Sequence, residues 1–108
     1  MPVSMKFIRK LDDEYQKLVS RSNEAAPRNG SIPIGGGDWM DNFFKSEAIR
    51  GVIGALRRGN YVGARAEGKE LAELAIQIWN GRREWQVHRS KHWIDDFISD
   101  IWNKCRCL

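Results

Sequence analysis

Cysteine is nearly missing from this sequence: among 108 residues only Cys105 and Cys107 carry thiols, and a single residue separates them. A disulfide framework is thereby excluded. Two thiolates alone cannot close a structural zinc site, which takes four ligands. Histidine is equally scarce, and His88 and His92, spaced i, i+4, would have to complete the set, although one exposed helical turn gives the same spacing. With no Cys-x-x-Cys knuckle, neither a metal nor another cofactor is expected. Long hydrophobic runs are also lacking. Nothing approaches the eighteen or so apolar residues of a membrane span, and the N-terminal segment has no apolar stretch of signal type. The expectation is an intracellular protein, cytoplasmic or nuclear, neither secreted nor membrane-spanning. A barrel or doubly wound enzyme scaffold needs roughly twice this length, so large cofactor-binding enzymes are excluded too.

What the chain does hold is ordinary globular material, with 42% hydrophobic and 30% charged residues, which argues against wholesale disorder. Eighteen Lys and Arg against 14 Asp and Glu leave a net charge of +4. Five tryptophans are many for one small domain. Large rings either fill a small core or face a partner.

Hydrophobic spacing predicts an all-α fold of about four helices. Ser4 caps a first amphipathic helix over Met5 to Arg21, its stripe formed by Ile8, Leu11, Tyr15, Leu18 and Val19. Residues 22–40, rich in Asn, Pro and Gly and containing the run Gly35-Gly36-Gly37, read as a loop or linker. Residues 41–108 then form a helical domain. Asp41 caps its first helix, which carries Phe43, Phe44, Ala48, Ile49, Val52, Ile53 and Leu56 and stops at Gly59. Asn60 caps the next, where Tyr61, Ala64, Gly68, Leu71, Ala75 and Ile78 repeat at three-four spacing as a seam. Small seam residues allow close backbone approach, so these two helices form a central antiparallel hairpin. Arg82 to His92 fits either a strand or a helix, and Ser90 caps a last helix that places Trp93, Ile94, Phe97, Ile98, Ile101 and Trp102 on one face.

Residues for catalysis are few. The clusters Asp12-Asp13-Glu14 and Asp95-Asp96 fall on solvent faces or helix starts, where a structural role suffices. The glycine run lacks the Gly-Lys-Ser/Thr of a phosphate loop and is followed by Asp38 and Asp41. No enzyme activity is expected.

The basic residues are more informative, because 42–92 carries ten basic and five acidic side chains. Arg50, Arg57, Arg58, Arg65, Arg82, Arg83 and Arg89 would grip phosphates, with Tyr61 or Trp85 stacking on bases. The plainer reading makes Arg57 and Arg58 helix-end charges and pairs Arg65 and Lys69 with Glu67, Glu70 and Glu73. The last helix suggests a different use, with Trp93, Phe97, Ile101 and Trp102 forming an oligomer or partner interface or lying on a membrane surface. The ending Cys105-Arg106-Cys107-Leu108 has the outline of a prenylation box with Arg106 and Cys107 in normally aliphatic positions, and palmitoylation of either cysteine is a further option.

The pattern Ile49-Arg50, Ile53, Arg57, then Tyr61-Val62 and Ala64, resembles a segment of the geminivirus precoat proteins over roughly Ala48 to Arg65. Upstream, Tyr15, Leu18 and Val19 are similar to that family's preceding hydrophobic helix. The resemblance implies a viral accessory protein that suppresses host RNA silencing and assists movement, by binding RNA or a host silencing factor. Residues and resemblance together give the expectation of a non-enzymatic, homodimeric binder of structured or double-stranded RNA. The rival expectation is a protein-interaction module, of viral-inhibitor or immunity type, that engages a partner through the Trp-rich last helix.

Overall fold

The computed structural model describes residues 3–26, 37–79 and 84–106, with the side chains at 37–38, 79 and 84–92 outside that description. The described residues form four helices and no strand: α1 (Met5–Ala25), α2 (Gly37–Arg57), α3 (Ala64–Trp79) and α4 (Glu84–Arg106). Helix α1 lies along α2, α2 pairs with α3 as an antiparallel hairpin, α3 meets α4, and α4 returns to α1. The fold is the expected all-α one.

Local chemistry sets the helix ends. Ser4 adopts extended backbone and its Oγ accepts the Phe7 N–H at 3.2 Å, as an N-cap does. At the turn between α2 and α3, Gly59 takes φ +83°, a conformation that glycine alone adopts without penalty. Its N–H donates to the Leu56 carbonyl at 3.1 Å and that of Asn60 to Ala55 at 2.9 Å, the two bonds of a Schellman motif. Asn60 caps differently from expectation: its Oδ1 accepts the Gly63 N–H at 3.0 Å inside a turn, and α3 begins only at Ala64.

Two helices run into the segment expected to be linker. Residues 22–25 continue α1 and 37–40 open α2, four residues before the expected Asp41 cap. Composition there favours a loop, but Ser22 is buried and its hydroxyl donates to the Trp39 carbonyl at 3.2 Å, while Met40 is buried beside it in sequence. Tertiary contact thus holds turns that propensity alone would leave frayed. Gly35 and Gly36 of the glycine run lie outside the described residues. Likewise α4 starts at Glu84, so Ser90 sits within the helix and the strand alternative for 84–92 is corrected. Extending an existing helix gains a backbone bond per residue, whereas a strand needs a partner strand and none exists among the described residues.

The core gathers Phe7, Ile8, Leu11 and Leu18 of α1, Ile49, Val52, Ile53 and Leu56 of α2, Ala64, Ala72 and Ile76 of α3, and Ile94, Ile98 and Cys105 of α4. Between α2 and α3 the backbones nearly touch. A Cβ on Gly51 would stand 2.7 Å from the Gly68 Cα, and one on Gly68 would stand 2.5 Å from the Ala48 carbonyl oxygen. The buried seam of α3 is therefore Ala64, Gly68, Ala72 and Ile76 at a spacing of four. Leu71, Ala75 and Ile78, expected in that seam, are left outside it. Small residues let the helices approach, and the approach leaves no room for the large ones.

Candidate interaction surface

Among the described residues the basic set does not converge on one face. On α2, Arg50 is exposed with its Nε 3.5 Å from Glu47, Arg57 is exposed, and Arg58 ion-pairs across the turn with Glu67, which also accepts from Asn60 Nδ2. Tyr61 stands exposed at the turn beside the fully exposed Val62. Arg65 points toward α4, where it donates to Ser99 Oγ and lies 5.7 Å over the Trp102 ring. Lys69 joins it on that side, 2.8 Å from Asp95, whose hydrogen bond raises the Lys69 pKa above its ordinary value. The expected pairing of Arg65 and Lys69 with glutamates of their own helix is replaced by contacts between helices. Arg82 and Arg83 lie outside the described residues, as do the side chains of Trp85 and Arg89.

The expected interface on α4 is largely occupied by the fold itself. Trp93, Phe97, Ile101 and Trp102 are half-buried and packed against the core. Lys45 of α2, paired with Asp41 at 2.9 Å, spreads over Trp93 and Phe97 with its ammonium 5.4 and 5.6 Å from the ring centres. Phe7 of α1 meets Trp102 edge-on at 5.0 Å. A small bundle needs large rings where its helices cross, and these aromatic contacts serve that need.

Glu14 departs from expectation as well. Its cluster was expected on a solvent face, yet the Glu14 side chain is 8% exposed. Lys104 Nζ lies 2.9 Å from Glu14 Oε1 and Lys17 Nζ 3.6 Å from the same oxygen, both at ion-pair distance. Lys104 is the main cause that holds the Glu14 carboxyl below its ordinary pKa, against the opposing effect of burial. Next to Lys104, Cys105 is fully buried, and burial first, then the Glu14 charge, pushes its thiol pKa up. Such a thiol is a packing group and a poor nucleophile. Cys107 and the side chains of His88 and His92 lie outside the described residues, among which no group of three metal-ligating side chains converges.

The least satisfied surface is one the sequence reading missed. On the outer side of the hairpin a groove of about 430 Å³ runs between Phe43, Glu47 and Arg50 of α2 and Leu71, Leu74, Ala75 and Ile78 of α3. It continues into one of about 600 Å³ reaching Gly54, Arg58, Glu67 and Glu70. Leu74 is 51% and Ile78 72% exposed, on the side of α3 turned roughly half a helical turn from Arg65 and Lys69. Helix α3 therefore carries two apolar stripes, a small-residue stripe facing α2 and a large-residue stripe facing outward. The doubled pattern, Leu71, Leu74 and Ile78 beside Ala64, Gly68, Ala72 and Ile76, is the signal from which the groove could have been inferred.

Fold and groove together define a small helical bundle with an apolar hairpin face that no other described element covers. Comparison with protein-family models, with curated proteins and with solved structures returns no match. The chain's own geometry carries the functional reading. No described helix is long and apolar enough to cross a membrane.

Proposed function

We propose that this protein is a non-catalytic interaction module that docks a helical protein segment on the α2–α3 groove. One observation carries the reading: Leu74 and Ile78, with Phe43 at the groove edge, expose a continuous apolar strip between rims that carry both signs of charge. Its fitting occupant is a helix with an apolar ridge and charged flanks. A nucleic-acid duplex offers no such ridge, and its phosphates would meet Glu47, Glu67 and Glu70 along the same groove. Arg58 and Arg65 are moreover held by internal partners. The docking surface is accordingly moved from the last helix, where the sequence suggested it, to the hairpin. A viral accessory role, implied by the Ala48 to Arg65 resemblance, is compatible with such a module when the docked segment belongs to a host factor.

Capture from an extract by tagged wild type and by Leu74→Glu with Ile78→Glu, at high salt and after nuclease, tests the reading. The expected result is a protein, an untagged second copy of the chain included, retained by wild type and lost in the variant. Capture that vanishes under nuclease, or is indifferent to the groove substitutions, overturns it. So does fluorescence polarisation in which a labelled short RNA duplex binds at low salt and is released by Arg57→Ala with Arg58→Ala, the outcome that would favour RNA binding.

A further inference from the structure

We infer that the occupant of the groove is the same groove on a second copy of this chain, forming an isologous dimer about a two-fold axis parallel to α2 and α3; this inference rests on the groove being a docking surface. The polarity of the groove changes along its length. One end is apolar, with Phe43, Ala75 and Ile78, and the other is charged, with Arg58, Glu67 and Glu70. A two-fold axis along the helices superposes like ends, apolar on apolar and charged on charged. An axis across them would press Ile78 into the charged end. With the axis along the helices, α2 of each copy lies on α3 of the other, and the two hairpins close face to face into an antiparallel four-helix bundle.

The rims then match. The α2 edge carries Arg50 and Arg58 and the α3 edge carries Glu67 and Glu70, with Glu47 the one acid on the α2 side. Contact between Gly51 and Gly68 sets the register of the antiparallel hairpin, which places Arg50 and Glu70 at nearly the same level. Across the two-fold axis Arg50 of each copy meets Glu70 of the other, twice. Arg50 has only an exposed 3.5 Å pairing with Glu47 to share or exchange. Leu74 and Ile78 gain the apolar cover that no described element of their own chain supplies.

Light scattering and sedimentation of the purified full chain over a concentration range test the inference. The expected mass is twice that of the chain. Leu74→Glu with Ile78→Glu, at exposed positions where circular dichroism should stay helical, is expected to raise the dimer Kd at least about 100-fold by leaving charges in an apolar contact. Arg50→Glu and Glu70→Arg each place like charges together and are expected to weaken the dimer about tenfold. Mixing these two single variants restores wild-type association, because a heterodimer alone sets both pairs right. A pairing within one chain would gain nothing from mixing. A monomer at every concentration, a dimer indifferent to the groove variants, or a mixture that does not re-associate overturns the second copy as occupant. If the chain is monomeric and still captures a different protein through Leu74 and Ile78, the self-association fails while the docking groove stands. If capture is also independent of those residues, both fall.

Discussion

Cys105 is a small apolar group whose chemistry is suppressed by where it sits. Its side chain is fully buried, and burial together with the nearby Glu14 charge raises its pKa, so both access and thiolate population are low. In a Cys107→Ser background, an alkylating thiol reagent is expected to react at least about a hundredfold more slowly than with an exposed thiol, the rate rising in denaturant as the end of α4 opens. Rapid labelling in native buffer would contradict this placement. The same burial bears on lipidation, since the Cys105 thiol would have to leave the core before it could be acylated. None of this is visible in the ending Cys-Arg-Cys-Leu, because the sequence does not tell which side of the last helical turn faces inward.

Among the elements, the hairpin depends on Gly51 and Gly68 where its helices approach and on Gly59 at its turn, and is indifferent to Gly54. Gly68→Ala would drive a methyl group to 2.5 Å from both the Ala48 carbonyl oxygen and Val52 Cγ2. Backbone cannot yield as a side chain can, so a loss of about 1–3 kcal/mol is expected in spite of the gain in helix propensity. At Gly54 the added methyl would meet only Arg58 Nη1, the far end of a flexible side chain, at 3.3 Å. Gly54→Ala is therefore expected to stabilise by about 0.5–1 kcal/mol. Urea midpoints of the two variants against wild type check the contrast, and equal shifts would mean that the α2–α3 approach is not tight. Of this hairpin the turn was legible: Gly59 after Arg57-Arg58 reads as a helix stop, and it is one. The seam was not. Leu71, Ala75 and Ile78 fit a three-four repeat as well as Ala64, Gly68, Ala72 and Ile76 fit a repeat of four, and only the close backbone contact decides which stripe is buried.

For the whole molecule, the link between the first and last helices makes stability depend on pH. Lys104 holds the Glu14 carboxyl below its ordinary pKa, so the unfolded chain takes up a proton on Glu14 before the folded one does. The stabilisation is complete above the ordinary carboxylate range and is lost as pH falls through the folded value. Lys104 is 56% exposed, which reduces the effect to on the order of 1 kcal/mol. Chemical denaturation at about pH 6 and about pH 3 should thus show a larger loss for wild type than for Glu14→Gln. An equal loss in both would remove the pair from the account of acid stability. The acidic cluster around Glu14 reads in sequence as a solvent face because two of its members lie on one: Asp12 is half-buried and Asp13 exposed, while the third turns inward. The ion pair needs Lys104, ninety residues away, and no local pattern announces such a partner.

The sequence by itself determined what depends on neighbours along the chain. Periodicity of the apolar residues, the Ser4 cap, the stop at Gly59 and the small residues of α3 together specify helices, their approximate ends and the antiparallel hairpin. These are short-range effects of propensity, capping and backbone clearance. Tertiary structure decided which of two apolar stripes on α3 became core and which an open groove. It also decided that the aromatic face of α4 packs inward under Lys45 and against Phe7, and that Arg50 and Arg58 stand at the groove rim while Arg65 turns to α4. Each of those outcomes is a competition between surfaces of similar hydrophobicity or charge. The packing of helices distant in sequence settles such a competition, because close approach is possible on one face only and whatever is excluded from that face stays at the surface.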